Sequence, residues 1–465
     1  MKTPALPLAD APDAVAIRDM LASGQETAAG IAASIAPARS AARALNAFIP
    51  GDCGMEGQVE ASDVRYRSGQ ALPLDGIPVS VKDNVALDGL PTTGASRPLA
   101  QYFLPEGTAV RRLRDAGAVF TDKTNLHELA FGITGESSVT GPARNPFDET
   151  RLAGGSSSGA AVAVAVGACA VALGTDTGGS CRIPAAHCGV VGFRPTTGRY
   201  PADGYLTLSP SRDTLGLLAR SVRDIALFDG VLAADDTPLP FVALNGLTLG
   251  FQCPEPIDPA VAAAFASSVE RLRAAGVRLV AIDITEAQAI DNACGFPIAV
   301  YESALSMSEL AVTKLGISWP SFVDAIESPD VQAVFASQLG NEAIPEAAYR
   351  DAVDVQLPRL RAAFDRVFIG VDAILYPTTA HTAPRIGDTG MTDLGGALLP
   401  TFPAYTLTSR PDSMAGLPSI SLPAGLANGL PFGLQVAGRP GADRHLLGIA
   451  SALEAILPAR PVPPL

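Results

Sequence analysis

One lysine at the end of an apolar run, and serines framed by glycines at two places downstream, are the residues here whose types and spacing could do chemistry. Of 33 basic residues only four are lysines (Lys2, Lys82, Lys123 and Lys314), so arginine supplies almost all the positive charge. Lys82 follows Ile77 to Val81, IPVSV, where a charge is costly to bury. Lysine differs usefully from arginine there, because burial can strip its proton. Lowering its pKa from about 10.4 to about 7.5 takes roughly 4 kcal/mol of desolvation and neighbouring dipoles. An interior ion pair with Asp83 or another carboxylate fits the position equally well.

The segment GGSSSG, Gly154 to Gly159, matches a flexible linker when taken alone. It cannot be a phosphate loop, which ends in Gly-Lys-Ser/Thr. It formally matches a G-x-S-x-G nucleophile elbow, but that elbow must follow a strand, and the preceding NPFDETRLA is polar and contains proline. The segment ALGTDTGGSCRIPAA, Ala172 to Ala186, reads as a short strand running into a glycine turn, with Pro184 helping to open a helix. Adjacent glycines let successive N–H groups face one space, as an oxyanion requires, with Ser180 at the end placed to attack. An ordinary glycine turn explains that segment too when it stands alone. The three features together have a sharper meaning: a weak nucleophile, a second hydroxyl and a desolvated lysine make a proton relay that needs no histidine. None of the four histidines has a catalytic context. His127 falls in a helical segment, His187 beside Cys188, His381 in a Pro/Thr loop and His445 at a helix start.

Such a relay needs a scaffold that holds three sequence-distant segments together. Ile77–Val81 reads as a buried strand after an Asp75–Gly76 turn, residues 106–117 as a helix, and AVFTDK (118–123) as a strand. Residues 134–159, dense in Gly, Ser, Thr, Asn and Pro, read as a long ordered loop or nothing regular, and a buried helix starts at Ala160. Downstream, SVRDIALFDGVL is helical, GLTLGF a strand, AVAAAFASSVERLRAAG an amphipathic helix, and VRLVAIDI and VDAILYP strands. PSISLPAG and FGLQVAG read as paired strands before a last helix, HLLGIASALEAIL. Helices and strands alternate without a repeat or a low-complexity linker, which predicts one α/β domain over residues 1–465, with a helical N-terminal part over 1–65.

With 48% apolar and 17% charged residues, the 465-residue chain can bury a large core. A net charge of −14 and the lack of any Lys/Arg run argue against a nucleic-acid partner. The N-terminus lacks a signal-peptide pattern, and the longest apolar run, Ala160 to Leu173, is too short to span a bilayer, so a cytoplasmic protein without membrane contact is expected. Six scattered cysteines read as reduced thiols, and the Cys181–Cys188 spacing fits no common zinc pattern, so no metal is expected.

The blocks GIPVSVKDN, TNLHELAFGITGES, NPFDETRLAGGSSSG and GTDTGGSCRIPAAHCGVVGFRPTTG resemble, in this order, those of the amidase signature family. The resemblance covers about residues 70–200, with weaker similarity towards both ends. It implies one large domain with a central mixed, twisted β-sheet flanked by helices, a catalytic core over 70–200, and a variable region over 235–370. It further implies Ser180 as nucleophile, Ser156 as bridging serine after a cis Gly155–Ser156 bond, and Lys82 as base. The backbone N–H groups of Thr177, Gly178, Gly179 and Ser180 are then the expected oxyanion donors. Asp176 and Arg182 are expected to hold the loop. Position 158 is serine where the family commonly has glycine. No organic cofactor is implied, and a homodimer is compatible with the resemblance.

The stretches GRYPADGYLTLSPSRDTLGLLARSVRDIALFD and LLPTFPAYTLTSRPDSMAGLPSISLPAG resemble the subgroup that hydrolyses indoleacetamide and mandelamide. That resemblance implies a small primary amide with an aryl or arylalkyl group, taken in an apolar pocket for which Ala130, Phe131, Phe402 and Tyr405 are candidate walls. The alternatives are the A subunit of a glutamine-dependent amidotransferase, and an acylamidase or esterase acting on anilides or esters.

Overall fold

The computed structural model describes residues 11–464. Lys2 and the first ten residues of the N-terminal stretch read above lie outside them. One eleven-stranded sheet organises the chain. Across it run Phe48–Ile49, Val119–Thr124, Pro78–Lys82, Val171–Thr175, Leu215–Ala219, Val191–Arg194, Ser419–Ala427, Leu430–Ala437, Ala373–Pro377, Thr248–Phe251 and Arg278–Ala281. The sheet is mixed. Pro78–Lys82 lies parallel to both neighbours, whereas Leu215–Ala219 is antiparallel to both of its own. The strands at the centre are buried on both faces, which is why they read as apolar runs without alternation. Helices flank the sheet, as an α/β domain requires. At the N-terminus these are Ala14–Ala22, Ala28–Ala44 and Met55–Ser68.

Two parallel strands set the geometry of everything that follows. Val81 pairs with Leu173 in register, so Lys82 and Thr175 emerge side by side at the carboxyl ends of neighbouring strands. The carboxyl edge of parallel strands is where open α/β sheets place their chemistry. Behind it packs the helix Ser158–Ala165, whose eight residues are all buried. Its small side chains permit a close approach. A Cβ on Gly159 would lie 2.1 Å from the Ala47 carbonyl oxygen and 2.6 Å from the Asn125 nitrogen, so only glycine fits.

Two expectations need correction, and two strands were not anticipated. Residues 134–159 are not wholly irregular, because Asp148–Leu152 forms a strand paired with Arg144–Asn145. Its polar residues are tolerated because the hairpin stands outside the central sheet and leaves Glu149 and Thr150 exposed. His127 is not helical; its backbone is extended and precedes a short 3₁₀ turn, Glu128–Ala130. The strands Val191–Arg194 and Leu215–Ala219 carried no sequence expectation, yet they sit at the sheet centre.

Candidate active site

Lys82 is fully buried and forms no ion pair among the described residues; its Nζ lies 2.8 Å from Ser156 Oγ and 2.8 Å from Thr175 Oγ1. Asp83, the partner that sequence position alone allowed, is taken instead by Lys123 at 3.2 Å. Burial removes solvent from the charged amine and lowers the Lys82 pKa to about 8, while the Cys181, Asp176 and Asp213 groups pull it back upward. Thr175 Oγ1 also accepts a hydrogen bond from Asn84 Nδ2 at 3.1 Å. With one lone pair so engaged, its hydroxyl hydrogen is free to point at an uncharged amine.

Ser156 follows a cis peptide bond from Gly155. Its carbonyl accepts the His127 N–H at 3.2 Å, and the Ser157 N–H donates to the Ser180 carbonyl at 3.1 Å, which stitches the serine loop to the Gly-Ser turn. Ser158, the departure from the family pattern, starts the buried helix and leaves that stitching in place.

The turn itself is held by Asp176. Its carboxylate accepts the N–H groups of Gly179 (2.8 Å) and Cys181 (3.1 Å) together with Nε and Nη2 of Arg182. Burial alone would raise this carboxyl, but the Arg182 guanidinium, with Arg194 behind it, holds it well below the usual carboxylate range. Gly179 adopts a φ of +123°, and a Cβ there would lie 2.4 Å from Ser409 Oγ, so glycine is required. The Gly179 N–H, expected as an oxyanion donor, is therefore committed to Asp176. The N–H groups of Thr177, Gly178 and Ser180 have no such partner among the described residues. Thr177 Oγ1 is anchored on Asp213 at 2.6 Å, and Ser409 Oγ donates to the Gly178 carbonyl at 2.8 Å.

Ser180 is 6% exposed, and among the described residues its hydroxyl bonds no other side chain. With Thr177 and Gly178 it faces a cleft of about 470 Å³, partly open to solvent. Ala130, Phe131 and Phe402 line that cleft, joined by Leu208 and Phe296. Tyr405 does not line it. Its hydroxyl donates to the Thr382 carbonyl at 2.7 Å and the edge of the His187 ring meets it, so it belongs to the core. On the Ala130 side, Leu129 and Ala130 both have left-handed backbones (φ +53° and +58°). Such residues cost on the order of 1 kcal/mol each. Buried Glu128 fixes the turn by accepting from Ser96 Oγ and the Ser328 N–H, both at 2.7 Å.

Sequence reasoning missed Thr175 and Asn84, although both stand inside motifs it singled out. It also missed Phe296 and two arginines of the cleft, Arg212 and Arg410. Arg212 had a signal, its place in the SPSRDT stretch; nothing marked Phe296.

Comparison with known proteins agrees with this architecture. The family model described as Amidase matches residues 31–447. The indoleacetamide hydrolase of Agrobacterium vitis is 37% identical, over 91% of this chain and 92% of that protein. The mandelamide hydrolase of Pseudomonas putida is 36% identical, over 90% of this chain and 86% of its own length. A solved amidase structure superposes with a TM-score of 0.87 at 35% identity, over 96% of this chain and all of that one. Similarity that runs nearly end to end in both sequence and fold leaves one assignment: this chain belongs to the amidase family and is an amide-hydrolysing enzyme.

Proposed function

We propose that the enzyme hydrolyses a small primary carboxamide with an aryl or arylalkyl acyl group, through an acyl-enzyme on Ser180. The observation that carries this reading is the contact of a fully buried, ion-pair-free Lys82 amine with Ser156 Oγ at 2.8 Å, beside the loop that presents Ser180 to an apolar cleft. Uncharged Lys82 takes the proton of Ser156, and Ser156 takes that of Ser180 as its oxygen attacks the carbonyl. The link between the two serines forms when substrate is bound, as catalytic hydrogen bonds commonly tighten only then. The free N–H groups of Thr177, Gly178 and Ser180 receive the developing oxyanion, each worth about 3 kcal/mol. The proton passes back along the relay to the departing nitrogen, which leaves as ammonia. Water then repeats the sequence on the ester and releases the acid.

Phe131, Phe402 and Leu208 supply the apolar surface that an aryl group needs. Phe296, from the long helix Thr285–Leu310, adds to it, which supports a specificity-shaping role for residues 235–370. The relatives named indoleacetamide and mandelamide hydrolase support the same substrate class.

The test is ammonia release from indoleacetamide, mandelamide, phenylacetamide and glutamine, with wild type and Ser180→Ala. We expect turnover of the aryl amides and a loss of about 10⁴-fold or more in kcat for the variant. Cleavage of glutamine alone would replace this reading with the amidotransferase one, and full activity in Ser180→Ala would remove the mechanism.

A further inference from the structure

The cleft that holds Ser180 also holds a guanidinium that forms no direct ion pair among the described residues. Arg212 is 5% exposed and lines the cleft. Its Nη1 reaches only Met414 Sδ, at 3.6 Å, and its Nε is buried without a partner. Among the described residues no carboxylate forms a direct ion pair with it, although Asp291, Asp213 and Glu302 stand near enough to attract its charge. Asp213 takes Thr177 Oγ1 and the Leu208 and Ser209 amides. Asp291 takes Nε of Arg410 through Oδ2 and leaves its buried Oδ1 without a partner among the described residues, while Glu302 takes Ser209, Ser211 and Tyr349 hydroxyls. The backbone carbonyl of Arg212 accepts from Arg194 Nη2 at 2.7 Å, a service any residue type could perform.

A guanidinium cannot shed its proton, and burying its N–H donors without acceptors is costly even where carboxylates stand nearby. The unmet Arg212 donor is a cost to the free enzyme, set against the attraction of its charge to Asp291, Asp213 and Glu302. Its five N–H donors match a bidentate acceptor. The second arginine of the cleft, Arg410, is already served by Asp291 and Asn292, so the unmet demand is that of Arg212 alone.

We infer that Arg212 is a specificity-determining residue that binds a carboxylate or comparable oxyanion on the acyl part of the substrate, beyond the ring that carries the amide side chain. This rests on the amide-hydrolase reading of Ser180. The substrate class narrows accordingly, to aryl carboxamides that bear a second, anionic oxygen group.

The experiment compares kcat/KM for phenylacetamide with that for its 3- and 4-carboxyphenyl counterparts, in wild type, Arg212→Met and Arg212→Gln. Wild type should prefer one carboxylated amide at least about 10-fold, and both variants should lose that preference, since a site with buried donors discriminates strongly against ligands that leave them unmet. Arg212→Gln serves should Arg212→Met fail to fold. Calorimetric binding of the unreactive diacid 3-carboxyphenylacetate gives a readout independent of turnover. Should no amide be cleaved, the hydrolytic reading falls, while tighter diacid binding by wild type than by Arg212→Gln would still support the subsite. A neutral amide used as well as the charged ones, with the ratio unmoved by either substitution, overturns the inference, as does equal diacid binding.

Discussion

Two lysines on neighbouring parallel strands solve the same physical problem in opposite ways. Lys82 and Lys123 both lie in strands buried on both faces, and Val81 pairs in register with Lys123. Lys123 is neutralised by a partner, since it donates to the Val85 carbonyl at 2.5 Å and pairs with Asp83 at 3.2 Å. Lys82 meets only hydroxyl groups. One strand has been given a counter-ion; the other has been given groups that tolerate a neutral amine as well as a charged one. Sequence position cannot tell these apart, because Asp83 adjoins Lys82 in the chain yet serves Lys123 in the fold.

The strongest way to break the comparison is to deny Lys82 its neutral form. Lys82→Arg keeps the charge but cannot lose the proton, so kcat/KM should fall by about 10²–10⁴-fold. In the wild type kcat/KM should climb with pH and level off above the Lys82 pKa of about 8, as the base becomes uncharged. A variant profile that keeps this rising limb would assign it to another group.

Stability should separate the two lysines by sign. Lys123→Met leaves Asp83 buried and uncompensated, at a cost of about 3–5 kcal/mol in denaturant unfolding. Lys82→Met should instead stabilise the fold at neutral pH. The folded-state pKa of about 8 lies below the ordinary 10.5, so between those values the unfolded chain binds more protons and wild-type stability rises with pH. Below about pH 8 the full penalty is present, up to about 3 kcal/mol at 1.36 kcal/mol per pKa unit, and the advantage of the variant should vanish near pH 10.5. A neutral-pH loss in Lys82→Met would mean that its hydroxyl contacts outweigh desolvation.

The smallest effect sharpens the contrast. Thr175→Val removes one of the two side-chain partners of Lys82, and losing a hydrogen bond worth about 1 kcal/mol should lower kcat/KM a few-fold. The rising limb of the pH profile should move as well, which a purely structural role for Thr175 would not cause.

The residues proposed to do the chemistry stood out in the sequence more clearly than their surroundings, for a physical reason. Lys82, Ser156, Ser180 and the glycines around them sit in short segments whose backbone demands are local, so composition and spacing expose them. Gly179 fulfils the expected turn, yet its amide faces the Asp176 carboxylate, a choice made by loop geometry that no spacing encodes. Tyr405 looked like a cleft wall because it is aromatic and near Phe402. The short helix Thr401–Thr406 instead turns it into the core. Phe296 reaches the cleft only through packing between segments more than 80 residues apart, which lies beyond any pattern read along one chain. The Asp148–Leu152 strand escaped because half-exposed hairpins carry little apolar periodicity.

The cleft is assembled from two sources. Residues 130–180 bring Ser180, the proposed nucleophile, and its loop, whereas Phe296, Phe402 and Arg410 arrive from more than 100 residues downstream. Substitutions at Phe296 or Phe402 leave the Lys82–Ser156 contact at the sheet edge untouched, whereas Ser409, which donates to the Gly178 carbonyl, ties that distal side to the glycine turn. Selection, natural or in the laboratory, can therefore retune which acids are released while inheriting the hydrolytic apparatus intact.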